Sequence, residues 1–455
     1  MVYLTQDILD NYDFNRDLFM KIIGIIAEYN PFHNGHAYQI KKIKEELKAD
    51  YVVVAMSGDF VQRGTPAIVN KYARTKMALS CGADLVIELP VLWSTASAEY
   101  FAMAGVTLFD KMGCVDGICF GAETDDIKTL SMIADVLIEE PEPYRAALTS
   151  CLKTGMSFPL ARSKSLCDFF ANAATNCSHR TDGIDLDTIS SILNEPNNIL
   201  GIEYLKALKR RNSSITPYVI KREGAGYHDT EIATEGADSI PTASATAIRK
   251  VLDTPVKTKE SDIFDVLIDT MPTSALNILK EYLAEKSPVY TNDFSSILGY
   301  KLLTSDTNEL TAIGDSNPDV SNRIFKNRTS FASFEEFCER NKSKDVTYTR
   351  ISRILLHLIL NIKDSDYILG KEIDCIPYLR ILGFRKDASA LLKELKNCSN
   401  VPVISKLADA SSQLSVAALS LLNKDIFAAD LYEQTCANKS GIASTSDYTQ
   451  NIVLM

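Results

Sequence analysis

Two histidines, His33 and His36, stand close together in the segment IIGIIAEYNPFHNGHAYQ, residues 22–39. An apolar run precedes them, Asn30-Pro31 interrupts it, and apolar residues at helical spacing follow. This pattern predicts a buried strand, a tight turn carrying both imidazoles, and a helix that begins near His36. A helix N-terminus attracts anions because its unpaired N–H groups and its dipole point at the ligand. We therefore expect the histidines to bind phosphate; the alternative is a pair of turn histidines without a ligand.

A second group of small and hydroxyl residues, SATAIR, covers residues 244–249 and is predicted to open a short helix. Ser244 and Thr246 lie in the first turn, and Arg249 follows one turn later. Taken alone, this pattern is also typical of an ordinary helix cap. Together with the histidine turn, it predicts a second site for phosphate groups.

Strands and helices alternate through the first half of the chain, and residues 125–211 are predicted to be mostly helical. Continuous apolar runs predict strands at residues 22–27, 51–56, 84–89, 115–120 and 215–220. Such runs indicate a parallel sheet covered on both faces. Ligands bind at the carboxyl ends of the strands in these sheets. The segments expected to line one cleft are residues 33–36, 57–63, 89–90 and 121–123.

A polar, lysine-bearing stretch at residues 254–261 is the predicted domain boundary. Residues 1–20 form an extension, which is either a disordered leader or the segment before a natural start at Met20. The last residues, 438–455, are polar and are expected to be loosely held. Helices are predicted at residues 263–269, 274–283, 294–303, 308–312, 334–341 and 349–360. The predicted division is therefore an α/β domain of residues 21–253 and a mainly α-helical domain of residues 262–455.

The composition of the 455-residue chain is 46% hydrophobic and 24% charged, which is typical of a globular protein with two to three domains. No apolar run is long enough to span a membrane, and the N-terminus lacks a signal-peptide pattern. Ten cysteines without C-x-x-C spacing indicate reduced thiols and no zinc site. We expect a cytoplasmic protein without an obligate protein partner. The net charge of −11 argues against indiscriminate nucleic-acid binding but permits a local basic groove.

Taken together, these motifs resemble one family. HNGH and SATAIR are similar to the H-x-G-H and S-x-T-x-I-R motifs of the HIGH-type nucleotidyltransferases. Over residues 21–250 the chain resembles the bacterial tRNA(Met) cytidine acetate ligases in the segments EYNPFHNGH, SGDFVQRGTPAIVNKYARTKMAL, GADLVIELP, SAEYFA, CFGAE and PNNILGIEYLKAL. The similarity continues more weakly in YTRISRILL and YLRILGF, at residues 348–356 and 378–384.

The resemblance implies a Rossmann-like nucleotidyltransferase domain with a parallel sheet, followed by a mainly α-helical C-terminal domain. It also implies a reaction in which ATP, with magnesium, activates acetate to acetyl-adenylate. The acetyl group then passes to the exocyclic amine of the wobble cytidine in elongator tRNA(Met). The alternatives are a small-molecule nucleotidyltransferase and a tRNA-binding homologue without activity.

The resemblance further assigns residues to ATP. It places His33 and His36 at the phosphates, and it implies that Ser244, Thr246 and Arg249 clamp the β- and γ-phosphates. Around the histidines, the implied nucleotide contacts are Ile26, Ala27, Glu28, Tyr29, Asn30, Pro31, Phe32, Asn34, Gly35, Ala37, Tyr38 and Gln39. Further contacts are implied for Gly121, Arg222 and either Asn197 or Asn198, the other asparagine being a helix cap.

The loop that begins at Asp59 departs from the family, which usually has asparagine there. A carboxylate facing the phosphates would need magnesium or a nearby cation, and the alternative is a turn cap. Gln62 and Arg63 are candidates for holding acetate or tRNA, with Arg63 favoured because a guanidinium forks onto carboxylate or phosphate. Lys71 and Arg74 either line the same entrance or form a solvated face.

Two basic stretches allow an acidic chain to bind tRNA. Residues 206–222 carry six basic residues and no acids, and residues 323–353 carry eight basic residues against four acids. A tyrosine in the second stretch offers a stacking surface for an unpaired base. The predicted tRNA contacts are Arg63, Arg210, Arg211, Arg340, Lys342, Lys344, Tyr348, Arg350 and Arg353.

Overall fold

The computed structural model describes residues 20–175, 186–222, 244–253 and 260–455. The predicted extension lies outside these ranges apart from its last residue, Met20. The strands are β1 (Ile22–Ala27), β2 (Tyr51–Ser57), β3 (Phe60–Val61), β4 (Thr65–Pro66), β5 (Leu85–Leu89), β6 (Gly117–Ala122), β7 (Thr216–Lys221), β8 (Leu379–Phe384), β9 (Val403–Ile404) and β10 (Val453–Leu454).

In the first half of the chain, α-helices alternate with the strands within the described ranges, as the apolar periodicity predicts. Up to residue 253 they are α1 (Asn34–Glu45), α2 (Lys71–Ser80), α3 (Val91–Ser94), α4 (Ala98–Met112), α5 (Ile127–Glu139), α6 (Glu142–Lys153), α7 (Phe158–Thr175), α8 (Leu186–Asn194), α9 (Pro196–Arg210) and α10 (Ala245–Asp253). The later helices are α11 (Glu260–Leu267), α12 (Thr273–Glu285), α13 (Ser295–Thr304), α14 (Thr307–Ala312), α15 (Pro318–Asn327), α16 (Phe334–Asn341), α17 (Tyr348–Leu360), α18 (Asp364–Glu372), α19 (Ser389–Cys398), α20 (Ala410–Gln413) and α21 (Val416–Ser440).

The main sheet has the strand order β10-β8-β5-β2-β1-β6-β7, with β9 beside β8. Strands β5, β2, β1, β6 and β7 are mutually parallel, and each lies within about two residues of its predicted position. The predicted fold class, an α/β protein built on a parallel sheet, is confirmed. Because the strands are parallel, the chain returns through helices, and the carboxyl ends of the strands meet at one edge.

Both faces of this sheet are buried. Alternate residues of β2 enter opposite cores: Val53 and Ala55 pack with α4, whereas Val52 and Val54 pack with α1, α2 and α10. A strand that is covered on both sides needs apolar residues at every position, which explains the continuous run YVVVAM. No helix within the described ranges is both long and apolar enough to cross a membrane.

The C-terminal segment is mainly α-helical, as predicted, but it also contains strands. All six predicted helices are present, together with α15, α18, α19, α20 and α21, but the segment also contributes strands to the main sheet. Strand β8 pairs antiparallel with β5, and β10 pairs parallel with β8. The C-terminal segment therefore completes the sheet of the first domain. The boundary falls partly on residues 254–259, outside the described ranges, so the division at this point stays a prediction.

The expectation that residues 438–455 are loosely held is wrong. Asp447 is 2% exposed, and its carboxylate lies 3.2 Å from Nζ of Lys71 and 2.8 Å from Nη1 of Arg380. The tail then adds β10 to the sheet. Polarity alone suggested a loose end, but here the polar residue is buried because it neutralises two buried cations.

Candidate nucleotide-binding site

A cavity of about 270 Å³ lies at the carboxyl edge of the sheet, beside the ends of β1 and β6. Its wall combines segments that are far apart in the sequence, as expected when several strand ends converge. The residues lining it are Ile26, Ala27, Glu28, Tyr29, Asn30, His33, His36, Gln39, Val61, Gln62, Arg63, Thr65, Ala98, Phe101, Phe120, Gly121, Pro196, Asn197, Leu200, Tyr204, Arg222, Ser244, Ala245, Thr246 and Arg249.

The histidine turn begins helix α1 through a reciprocal pair of hydrogen bonds. Nδ1 of His33 accepts from the backbone N–H of Gly35 at 3.1 Å, and Nδ1 of His36 accepts from the backbone N–H of His33 at 3.2 Å. A ring nitrogen that accepts a hydrogen bond carries no proton, so each neutral imidazole holds its proton on Nε2. Both rings line the cavity and are stacked with their centroids 3.7 Å apart. The turn therefore supplies two neutral Nε2–H donors.

Burial and neighbouring cations keep these imidazoles neutral. Burial, followed by the charges of Arg222 and Arg249, lowers the pKa of His33 to about 3. Burial and the adjacent ring hold the pKa of His36 well below its ordinary value. Because the rings are uncharged, they share the cavity with the guanidinium groups of Arg63, Arg222 and Arg249 without like-charge repulsion.

The second predicted motif reaches the same cavity. Nη1 of Arg249 donates to the carbonyl of Asn30 at 2.6 Å, across 219 positions of sequence, and its Nη2 donates to Oγ1 of Thr246 at 3.0 Å. Oγ of Ser244 accepts from the backbone N–H of Ala247 at 3.1 Å and so caps α10. The start of α10 is thereby fixed against the turn that precedes the histidines, and the two motifs share one cavity wall.

The two candidate asparagines occupy different positions. Asn197 lines the cavity, and its Nδ2 donates to Oε1 of Glu123 at 2.6 Å. Asn198 is 2% exposed, and its Oδ1 accepts from the backbone N–H groups of Glu123 and Thr124. Of the two, Asn197 borders the cavity together with Gly121 and Arg222, whereas Asn198 holds the loop after β6.

Part of the predicted segment 26–39 lies behind the cavity wall. Phe32 is fully buried in the core, and Nδ2 of Asn34 donates to the carbonyl of Asp269 at 2.8 Å. Gly35 does not line the cavity but leaves space for the ring of His33, because a Cβ at residue 35 would lie 3.0 Å from Cε1 of that ring. The predicted nucleotide residues outside the lining are Pro31, Phe32, Asn34, Gly35, Ala37, Tyr38 and Asn198.

Asp59 is a helix cap behind the cavity and does not line it. It is 4% exposed, and its Oδ1 accepts from the backbone N–H of Lys71, the first residue of α2, at 2.6 Å. Burial raises the pKa of this carboxyl to about 7. Of the two interpretations of Asp59, the structure supports the cap.

Lys71 and Arg74 are buried, so the expectation of an entrance or a solvated face is wrong. Arg74 is 0% exposed and donates to the carbonyls of Glu28 and Ser57 at 2.7 and 3.0 Å, as well as to those of Gly58 and Val69. It therefore ties the end of β1 to the end of β2 and positions the cavity wall. Sequence reasoning missed this role because basic residues one turn apart are usually found on exposed helix faces.

Most of the predicted tRNA contacts have protein partners. Arg63 lines the cavity, and Tyr348 is half-buried against the core. The other cations bind Glu99 (Arg210), Asp110 and Asp374 (Arg211), Glu336 (Arg340), Glu339 (Lys342), the carbonyl of Gly155 (Lys344) and Asp315 (both Arg350 and Arg353). Local acids therefore reduce the positive charge that we inferred from the basic stretches.

The β3–β4 hairpin lies between the cavity and α17, the helix that begins at Tyr348. On one side, Oγ of Ser352 donates to the carbonyl of Gly64 at 2.8 Å. Gly64 has a φ of 76°, and a Cβ there would lie 2.4 Å from the backbone nitrogen of Arg353. On the other side, the backbone N–H of Gln62 donates to Oε1 of Glu28 at 2.9 Å. The hairpin therefore connects the cavity to the C-terminal basic region.

An apolar part of the wall was not predicted. Phe120 and Tyr204 pack with their ring centroids 5.5 Å apart. Phe120 lies in the family motif CFGAE and Tyr204 in PNNILGIEYLKAL, so these motifs could have indicated a role at the cavity. We instead assigned the apolar residues of both motifs to the cores of a strand and a helix. The unpredicted lining residues of this kind are Val61, Ala98, Phe101, Phe120, Leu200 and Tyr204.

Comparisons with known proteins identify the family of this chain. Residues 20–447 match the model of the HIGH Nucleotidyl Transferase family. The chain is 39% identical over 437 residues to the tRNA(Met) cytidine acetate ligase of Acetivibrio thermocellus, covering 96% of this chain and 100% of the relative. It is 40% identical over 435 residues to the ligase of Caldanaerobacter subterraneus subsp. tengcongensis, covering 95% and 100%.

Two solved structures have the same fold. Thermotoga maritima TmcAL in its apo form superposes with a TM-score of 0.84 at 28% identity, covering 96% of this chain and 100% of that one. TmcAL bound with alpha-thio ATP superposes with a TM-score of 0.83 at 27% identity, covering 96% and 99%. The family resemblance read from the motifs is confirmed over the length of the chain. This chain belongs to the HIGH nucleotidyltransferase family and, within it, to the tRNA(Met) cytidine acetate ligases.

Proposed function

We propose that this protein is an ATP-dependent ligase that activates acetate as acetyl-adenylate and acetylates the wobble cytidine of elongator methionine tRNA at N4. The observation that carries the proposal is the single cavity shared by the histidine turn and Arg249 in a chain of this family. The cavity supports nucleotide binding, and membership of the family supports the RNA acceptor. The reaction is placed in the cytoplasm, without an obligate protein partner.

The first half-reaction uses the neutral histidine donors. A carboxylate oxygen of acetate attacks the α-phosphorus of ATP, the bond to the bridging oxygen breaks, and pyrophosphate leaves with the electron pair. Negative charge grows on the α-phosphate oxygens, where Nε2–H of His33 and of His36 donate hydrogen bonds. One donor aimed at developing charge can contribute about 3–4 kcal/mol. Ser244, Thr246 and Arg249 bind the departing phosphates.

Magnesium is proposed to accompany the triphosphate and to offset charge on the leaving group. The described ranges contain no group of three or more His, Cys, Asp or Glu side chains suited to a metal ion. Glu28 is the only acidic residue among the described residues that line the cavity. With one carboxylate at the cavity, magnesium would have few protein ligands, which fits an ion that usually keeps several of its waters.

The RNA is proposed to approach from the side of the β3–β4 hairpin and α17. Arg350 and Arg353 share Asp315 as a partner, and Arg63 lies at the cavity, where a guanidinium can bind a carboxylate or a phosphate. The wobble base must leave the anticodon stack to reach the acetyl group. An unpaired base makes this movement at a cost of no more than a few kcal/mol.

One assay tests the proposal. The protein is incubated with ATP, labelled acetate and a methionine tRNA transcript, and the RNA is digested to nucleosides. Label in N4-acetylcytidine is the expected result. Acetyl-adenylate without labelled RNA would indicate a different acceptor, such as a small metabolite. No ATP turnover at all would indicate an inactive RNA-binding protein, and either result would overturn the proposal.

A further inference from the structure

We infer that Glu28 is the general base of the acetyl-transfer step and takes the proton from N4 of cytidine as that nitrogen attacks the acetyl carbonyl. This inference rests on the proposed function and deepens it. It follows from where the carboxylate lies, from what already binds it, and from the proton that the second half-reaction has to lose.

Glu28 follows β1 directly and lines the cavity that contains His33 and His36. Its Oε1 accepts from the backbone N–H of Gln62 at 2.9 Å. Its Oε2 makes no hydrogen bond or ion pair with any residue in the described ranges. The carboxylate is therefore held by one oxygen and keeps the other available. Tyr204 lines the same cavity, and burial, followed by the charge of Glu28, raises the pKa of its hydroxyl.

A carboxylate is electrostatically unfavourable in a cavity that is proposed to bind a triphosphate. Arg222, Arg249 and the histidine donors favour anions, and a negative charge beside them weakens binding of a triphosphate. The backbone of Glu28 is positioned by Arg74, whose Nη1 donates to its carbonyl at 2.7 Å. A rigidly held acidic residue at an anion site is expected to serve a step other than phosphate binding.

Glu28 contacts the β3–β4 hairpin, from whose side the RNA acceptor is proposed to approach. Its bond to Gln62 lies on the β3–β4 hairpin, and the same hairpin packs on α17 through Gly64. Other lining residues come from different elements: Gly121 is in β6, Asn197 is in α9, and Arg222 follows β7. The hairpin therefore contacts both Glu28 and α17, the helix from which the RNA is proposed to approach.

The transfer step needs a proton acceptor. The lone pair of cytidine N4 is delocalised into the ring, and its N–H groups become acidic only as the new bond forms. N4 attacks the acetyl carbonyl carbon, the proton passes to Oε2 of Glu28, and the bond from that carbon to the AMP phosphate oxygen breaks. The products are N4-acetylcytidine and AMP, and Glu28 later releases its proton to water. A positioned base typically contributes a rate factor of about 10²–10⁴.

Nearby acids are unsuited to this role because they are committed elsewhere. Asp59 caps α2 behind the wall, and Glu88 is 4% exposed and pairs with Lys71. Glu123 accepts from Asn197 with one oxygen and from the backbone N–H of Asn198 with the other. Among the described residues, these contacts leave Glu28 as the carboxylate with an uncommitted oxygen at the cavity.

The test is Glu28→Gln, which keeps an oxygen to accept from Gln62 and removes the base. Two rates are measured: acetate-dependent exchange of pyrophosphate into ATP, and single-turnover transfer from enzyme-bound acetyl-adenylate to tRNA. The expected result is transfer slowed by about 10²–10⁴ and by at least about tenfold more than exchange. Glu28→Asp should recover part of the transfer rate.

Glu45→Gln is the matched control, because Glu45 lies on the exposed side of α1 and should leave both rates unchanged. Transfer by Glu28→Gln within about fivefold of wild type would overturn the inference. So would an equal loss of exchange and transfer, which indicates a role in adenylation such as binding magnesium. A wild-type protein that forms no labelled acetylcytidine would overturn the proposed function itself, which separates the two failures.

Discussion

The imidazole rings of His33 and His36 stack 3.7 Å apart, and the backbone N–H groups of one turn bind Nδ1 of both. This relationship decides the chemistry of the pair. Each ring is left with its proton on Nε2, so the pair donates two hydrogen bonds without carrying charge. The sequence motif places two imidazoles near a phosphate, and the capping geometry determines which nitrogen donates.

The first prediction concerns the protonation of this pair. The folded-state pKa of His33 lies near 3, below the ordinary 6.5, so the unfolded chain takes up the proton first as the pH falls. The neutral ring therefore contributes stability above about pH 6.5 and loses it towards pH 3, at about 1.4 kcal/mol per pH unit. Nitrogen-15 NMR of labelled histidine should show Nε2–H forms of both rings without titration near pH 6.5. Titration there, or Nδ1–H forms, would contradict the capping geometry.

The second prediction concerns His36→Ala. Loss of one Nε2–H donor should slow acetate-dependent pyrophosphate exchange by about 10²–10³, because the donor acts on charge that develops at phosphorus. Affinity for tRNA, measured by filter binding, should stay within about twofold because the residue lies on the nucleotide side. Lys41→Ala on the exposed side of the same helix should change neither quantity. Retained exchange in His36→Ala would remove His36 from the catalytic site.

The third prediction uses two glycines with similar backbone conformations. Gly64 and Gly155 have φ values of 76° and 79°, but a Cβ at Gly64 would lie 2.4 Å from the nitrogen of Arg353, whereas nothing lies within 4 Å at Gly155. Both substitutions to alanine incur backbone strain of about 1 kcal/mol. Gly64→Ala should lower the free energy of unfolding by a further 1–3 kcal/mol or so and slow transfer to tRNA more than exchange. Equal unfolding energies for the two variants would contradict the close contact of the hairpin with α17.

The fourth prediction concerns the C-terminal tail. In Asp447→Asn, Lys71 and Arg380 lose a buried counter-ion, which should lower the free energy of unfolding by about 3–5 kcal/mol in urea denaturation. Despite burial, these two cations hold the pKa of Asp447 below its ordinary value, so its contribution is present above about pH 4 and is lost in acid. Asp387→Asn removes an exposed pair with Arg385 and should leave the free energy of unfolding nearly unchanged. Similar losses in both variants would show that the tail is not anchored as described.

The fifth prediction concerns RNA binding by α17. Arg350 is partly exposed and pairs with Asp315, which also binds Arg353. Arg350→Ala should weaken tRNA binding and reduce the slope of log affinity against log salt by about 0.7–1, while pyrophosphate exchange is unchanged. The control is Arg145→Ala, which removes an exposed cation from a region with no predicted RNA contact. An unchanged salt slope in Arg350→Ala would remove this helix from the RNA surface.

The sequence by itself determined the parallel strands, the histidine turn and the family. These features are local, because a strand buried on both faces needs a continuous apolar run, and a helix cap is formed by neighbouring residues. The cavity motifs could also be read from residue types, since His33, Ser244 and Arg249 lie in short segments with a recognisable pattern.

Only the tertiary structure decided which polar residues line the cavity and which are buried behind it, where they stabilise the fold. Arg74, Lys71 and Asp59 look like surface or site residues in the sequence, yet they are buried behind the cavity, where they bind backbone groups or buried carboxylates. Asp447 and β10 were missed for the same reason, because their partners lie far away in the chain. Burial depends on contacts between distant segments, and a charged residue has the same local pattern whether its partner is water or a buried ion.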